Sequence, residues 1–119
     1  MVKEIALAAL GLLLLSCNAH SDNPFRVTEI TKIGTEGSSG DFCADFVLTK
    51  KQAQAYFAHA STVTQSAVHD DYDVLPCFVR GRGTLGNQRC EWEINAGGTG
   101  HVNCAQQSYQ TACKDCLPR

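Results

Sequence analysis

The stretch Cys77–Cys104, CFVRGRGTLGNQRCEWEINAGGTGHVNC, decides the fold. Three segments in it, Cys77–Leu85, Arg89–Asn95 and Gly100–Cys104, carry β-branched and aromatic residues and are separated by glycine-bearing turns. That is the pattern of an antiparallel three-stranded meander. A two-residue turn at Gly86-Asn87 sets Leu85 opposite Gln88. Val79 then faces Ile94, Gly81 faces Trp92 and Gly83 faces Cys90, while on the other face Arg80 meets Glu93 and Arg82 meets Glu91. One register therefore satisfies an apolar face and two opposite-charge pairs together, and a slip by one residue breaks both sets. A glycine opposite the tryptophan leaves the indole room to lie across the neighbouring strand.

The next turn, placed as a three-residue loop Gly97-Gly98-Thr99, sets Ile94 opposite Val102 and Trp92 opposite Cys104. Cys90 and Cys104 are then diagonal on one face and are not expected to bond to each other. His101 falls beside Asn95. The expected buried face is Cys77, Val79, Leu85, Cys90, Trp92, Ile94, Val102 and Cys104.

Upstream, Phe25–Ile33 (FRVTEITKI) reads as a strand, Thr35–Gly40 as a loop and Asp41–Leu48 (DFCADFVL) as a second strand. Pairing those two strands by their apolar residues sets Asp45 opposite Ile30 or Glu29, a conflict that a bulge or non-adjacent strands would remove. Thr49-Lys50-Lys51-Gln52 fits a capping box. Ala53, Tyr56, Phe57 and Ala60 follow at helical spacing and form one apolar face, suited to covering the meander. Ser61–Asp73 shows no decisive period, and the tail Ala105–Arg119 is expected to fold back through Cys113 and Cys116. The expected fold class is α+β: a small antiparallel sheet, the C-terminal three-stranded meander, packed against one short helix and stabilised by disulfides.

With 119 residues the chain holds one small domain. It is 44% hydrophobic and 18% charged, which excludes a disordered charged tail. A net charge of -2 argues against a nucleic-acid-binding domain. Seven cysteines in so short a chain point to an oxidising compartment.

The N-terminus is an address. Ile5–Leu15 (IALAALGLLLL) is an uninterrupted apolar run of eleven residues. As a helix it would rise about 16 Å, roughly half a bilayer core, so it fits the apolar part of a signal peptide and is too short to span. It leads into Leu14-Leu15-Ser16-Cys17, which resembles the lipobox of bacterial lipoproteins. The resemblance covers the leader alone. It implies cleavage before Cys17, acylation of that thiol with palmitate-like chains, and permanent anchoring through two or three chains. Asn18 after the cysteine, where inner-membrane retention is associated with aspartate, implies the periplasmic leaflet of the outer membrane. The alternative is an ordinary signal peptide cut near Ala19 or His20, with Cys17 discarded. The expected organisation is 1–16 signal peptide, 17–24 lipidated tether and 25–119 a single disulfide-rich domain. Either way Cys17 is the odd cysteine, leaving Cys43, Cys77, Cys90, Cys104, Cys113 and Cys116 as an even set of unknown pairing.

Catalytic motifs are weak. Cys113-Lys114-Asp115-Cys116 has the spacing of a thiol oxidoreductase site, but such a site usually opens a helix that favours the thiolate, and here it stands at the end of the chain with an aspartate beside the thiol. Each of these cysteines is instead expected to bond elsewhere, tying the tail to the sheet. A zinc site drawn from His101, Cys104, Cys113 and Cys116 splits His101 and Cys104 between opposite faces of one strand. The serines lie in polar loops without a nucleophile elbow. His20, His59 and His101 read as surface residues. No metal and no cofactor are expected.

His69-Asp70-Asp71-Tyr72-Asp73 is the best candidate for a contact surface, since an acidic patch with one tyrosine suits a basic protein partner. Calcium binding would need a ligand pattern that is missing here, and a solvated loop is the bland alternative. Arg80, Arg82 and Arg89 resemble an anion patch, but Glu93 and Glu91 offset two of them. The expected function is a non-enzymatic protein-binding module in the cell envelope, of the inhibitor or immunity-protein kind, directed at an envelope-targeting toxin or hydrolase. The alternatives are an accessory subunit of an envelope assembly or secretion complex and a Cys-x-x-Cys thiol oxidoreductase.

Overall fold

The computed structural model describes residues 24–35, 43–72 and 75–118. The leader, Cys17, all of the tether but Pro24, and Asp73 lie outside the described residues. Strand β1 spans Phe25–Thr35, α1 Lys50–His59, β2 Ser61–Val63, α2 Gln65–Asp71, β3 Cys77–Leu85, β4 Gln88–Asn95, β5 Thr99–Cys104 and β6 Ser108–Ala112. The strands form one antiparallel sheet in the order β1-β3-β4-β5-β6-β2. The chain lays down one edge, passes through α1 to the opposite edge, and then fills the interior with a four-strand meander. The fold is α+β, with a sheet larger than the three-stranded meander read from the sequence and a second short helix.

The β3–β4 pairing is the one the sequence dictates: Val79 faces Ile94, Gly81 faces Trp92, and the turn is Gly86-Asn87. Gly86 has φ 61°, the left-handed region this tight turn requires. Trp92 is 1% exposed and sits at the centre of the core, and its indole Nε1 donates to the Arg82 carbonyl at 2.9 Å. A Cβ on Gly81 would strike the Glu29 carbonyl and the indole ring, with Trp92 Cε2 at only 2.7 Å.

Strand β1 follows β3 through two register shifts. The extra residues are Thr28 and Thr31, and each turns its hydroxyl to donate to a β3 carbonyl: Thr28 Oγ1 to Arg82 (3.0 Å) and Thr31 Oγ1 to Arg80 (3.4 Å). The bulges are thus partly satisfied by side chains where the ladder is interrupted.

Helix α1 begins with the capping box: Thr49 Oγ1 accepts from the Gln52 amide and Gln52 Oε1 accepts from the Thr49 amide. Its Ala53 and Tyr56 are fully buried against Val79, Trp92, Ile94 and Val102. Phe57 joins Phe25 and Trp92 edge-on, with centroids 4.9 and 5.7 Å away. On the opposite sheet face Phe78 is also buried, with the Arg80 guanidinium 3.9 Å above its ring.

Several expectations are corrected. Residues 43–49 form a turn and an extended lead-in to α1, not part of a strand: Phe46 and Val47 amides bond back to Cys43 and Asp45, Leu48 enters the core and Val47 stays exposed. Thr99 begins β5, and Ile94 faces Gly100, Trp92 faces Val102 and Cys90 faces Cys104. The loop is centred one residue earlier than expected, which moves the register by two and keeps every side chain on its face. Cys90 and Cys104 therefore stand opposite each other and are bonded, contrary to expectation. Cys113 and Cys116 bond to each other and do not tether the tail elsewhere; β6 holds the tail by pairing with β5 and β2. Leu85 is partly buried at the margin of the core.

The third bridge joins Cys43 to Cys77, across 34 residues, and the Cys90–Cys104 bridge spans 14. Loop-closure entropy gives these about 4 and about 3 kcal/mol. The longer one fastens the segment before α1 to the first residue of β3, and so fixes the helix over the sheet.

Gly81→Ala is expected to lower stability by at least about 2 kcal/mol, because both the β1 backbone and the indole must move. Gly34→Ala, whose added methyl meets only the Phe78 ring edge at 3.1 Å, serves as the comparison. Urea denaturation of the two variants checks the difference. Equal midpoints would show that Gly81 is not the constraint described.

Candidate functional site

Tyr56 links the core to one end of the molecule. Its hydroxyl donates to the Gly98 carbonyl at 3.0 Å and accepts from Thr111 Oγ1 at 3.1 Å. The same carbonyl accepts from the Cys113 amide at 2.8 Å. Gly98 has φ +95°, and a Cβ there would lie 2.8 Å from the Cys113 carbonyl oxygen, so only glycine lets the Cys113–Cys116 turn seat against the β4–β5 loop. Burial pushes the Tyr56 hydroxyl up to about 12; the Thr111 hydrogen bond opposes that rise and Tyr72 adds to it. Burial also raises Tyr109.

That end of the molecule carries the residues singled out in the sequence. His69, Asp70 and Asp71 lie exposed on α2, His69 Nε2 within 3.1 Å of Gln65 Nε2. Tyr72 follows as the C-terminal cap, half-buried, with Lys114 Nζ 5.0 Å from its ring centre. The structure thus brings His69, Asp70, Asp71 and Tyr72 together and adds Lys114 from the disulfide turn, which sequence reading missed. The Cys-x-x-Cys motif was visible, but nothing in the sequence placed it beside Tyr72.

The other singled-out groups sort differently. Arg80 Nε bonds Glu93 Oε1 at 2.6 Å, as the register dictates, whereas Arg82 reaches Glu29 on β1 at 3.1 Å and not its cross-strand neighbour Glu91. His101 faces Glu93, not Asn95, and lines a shallow polar depression of about 370 Å³ with Arg80 and Asn103 on the helix-free sheet face. Cys104, Cys113 and Cys116 are all committed to disulfides, so none is available as a thiolate ligand or nucleophile in this oxidised form. His59 is exposed in the last turn of α1.

Both helices are charged against their own dipoles. Lys50 and Lys51 open α1, whose first turn holds no acidic residue, and Asp70 and Asp71 close α2. A cation at a helix start or an anion at a helix end each costs about 0.3–1 kcal/mol. Helix stability does not explain these charges.

A second concavity, about 790 Å³, lies between β1 and the exposed side of α1. Arg26, Lys50 and Lys51 rim it, and Val27, Ala55 and Ala58 contribute its apolar lining.

No family model matches this chain, and neither a curated protein nor a solved structure is significantly similar to it.

The Tyr56 shift has a measurable consequence. The folded state holds the phenol protonated to about pH 12, while the unfolded chain releases the proton near 10. This contribution is present below pH 10 and is lost as pH rises to about 12. Denaturation midpoints should fall more steeply over that window in the wild type than in Tyr56→Phe. Parallel profiles would contradict the assignment.

Proposed function

We propose that this chain is a lipoprotein of the cell envelope whose domain is a non-enzymatic protein-binding module. It is of the inhibitor or immunity-protein kind, acting against a toxin or hydrolase that attacks the envelope. The observation that carries the reading is the leader run ending in Ser16-Cys17, ahead of a domain whose remaining six cysteines pair completely among themselves. That leaves Cys17 as the one cysteine without a partner by count. Its thiol is the acylation site, and the tether after it displays the domain on the periplasmic side of the outer membrane.

The partner contact is the acidic end: Asp70, Asp71 and Tyr72, with His69 beside them. An exposed carboxylate pair next to a tyrosine braced by Lys114 suits a basic surface. The two aspartates oppose the α2 dipole, which supports a role outside the fold.

The test is capture from envelope extract by wild type, Asp71→Arg and Tyr72→Ala, followed by titration of the captured protein. Asp71→Arg should weaken binding about tenfold or more. Because a cation suits a helix end, its thermal stability should be unchanged or slightly raised. Tyr72→Ala should cost roughly thirtyfold. A single soluble hydrolase or toxin, inhibited on binding, is the expected catch. Unchanged affinity in both variants would remove the acidic end, and a multi-subunit membrane complex would favour the accessory-subunit role.

A further inference from the structure

Arg26 on β1 and Lys50 and Lys51 on α1 are among the residues that line the groove between the two elements, and no carboxylate is among them. All three are exposed, and among the described residues none of them forms an ion pair. Of the other described cations, Arg80 and Arg82 bond to glutamates and Lys32 and Lys114 lie near aromatic rings, while Arg89 is exposed by itself near the start of β4. In a chain of net charge -2 this is a local concentration of three uncompensated positive charges. Two of them stand where the α1 dipole disfavours them.

The groove is also close to Cys17 in sequence. It begins at Arg26, next to the first residue of β1, and Phe25 is eight residues after Cys17. Eight residues reach at most about 28 Å, so a membrane anchor at Cys17 holds the start of β1 within that distance of the lipid surface, and the cations decide which edge meets it. The acidic end lies elsewhere. Helix α2 follows β2, and β1 and β2 are the opposite edges of a six-stranded sheet. Five strand spacings put those edges about 24 Å apart.

We propose that the Arg26–Lys50–Lys51 groove is a membrane-docking surface that takes the phosphate groups of anionic phospholipids, with the exposed Ala55 and Ala58 against the apolar side of the headgroup layer. Docking the cationic edge holds the domain in one orientation and turns Asp70, Asp71 and Tyr72 away from the bilayer. The proposal rests on the anchored reading above for its geometry, though the groove's affinity for anionic lipid does not require that the cell acylates Cys17. Each cation near an anionic leaflet contributes about fivefold to partition, so the three together contribute roughly a hundredfold.

The experiment uses residues 17–119, since every core residue and all three disulfides lie at Phe25 or beyond. Cys17, the one thiol left free in the oxidised protein, is coupled to a maleimide phospholipid in vesicles of phosphatidylcholine alone or with phosphatidylglycerol. Amine-reactive labelling then reads each lysine. On phosphatidylglycerol vesicles Lys50 and Lys51 should label at least about fivefold more slowly than on phosphatidylcholine. Lys114, at the acidic end, should be unaffected, and high salt should abolish the difference. The uncoupled Arg26→Gln/Lys50→Gln/Lys51→Gln variant should lose roughly a hundredfold in binding to phosphatidylglycerol vesicles while unfolding at the wild-type temperature. Equal labelling on both vesicles, equal protection of Lys114, or binding by the groove to an acidic polypeptide but not to lipid would each overturn the proposal. Because coupling replaces acylation, a chain that proves unacylated in the cell tells against the lipoprotein reading alone.

Discussion

The sheet depends on Trp92 lying across Gly81. Only a residue without a side chain lets the indole cross the neighbouring strand, reach the Arg82 carbonyl and fill the space beneath α1. That requirement locks the β3–β4 register, and the register places Arg80 against Glu93, Cys90 toward β5 and Val79 under the helix. Strand β1 then meets a partner with no Cβ at Gly81 and Gly83, where its own carbonyls and Phe25 approach closely. The two threonine bulges accommodate that approach. The disulfides add to a packing the strands already specify; they connect what the sheet does not, namely the segment before α1.

This architecture separates two charged ends. Because the chain builds both sheet edges before the interior, the residues that open α1 sit by β1 and those that close α2 sit by β2. Lys50 and Lys51 stand beside β1, and Asp70 and Asp71 stand at the far end, each pair against the local helix dipole. The two surfaces proposed here, an anionic bilayer for the first pair and a basic protein for the second, carry the complementary signs.

What the sequence revealed follows from which physical signals have a period. The β3–β4 pairing was legible because apolar and charged residues alternate on both strands and only one register satisfies both. The β4–β5 pairing was misplaced by two because the chain offers glycines at 97, 98 and 100, and a shift by two preserves every face. Periodicity is blind to that shift, and the Cys90–Cys104 bridge distinguishes the alternatives. Asp41–Leu48 looks like a strand by composition, but Cys43 and Leu48 are held by a disulfide and the core, not by a ladder. Strand β6, SYQTA, and helix α2, with Val68 as its one buried residue, carry too little apolar pattern to announce themselves. The acidic run at His69–Tyr72 was readable as a cluster. Its neighbour Lys114 was not, since the contact spans 42 residues and is made by a turn that folds against Gly98.

Export, modification of Cys17 and complete pairing of the other cysteines are what the proposed function requires. Intact mass of the protein recovered from membranes, before and after reduction, examines all three at once. The mass should correspond to a chain beginning at Cys17 with its acyl groups, and reduction should add six hydrogens, two for each bridge. A chain still beginning at Met1, without acyl mass and with no gain on reduction, would contradict it.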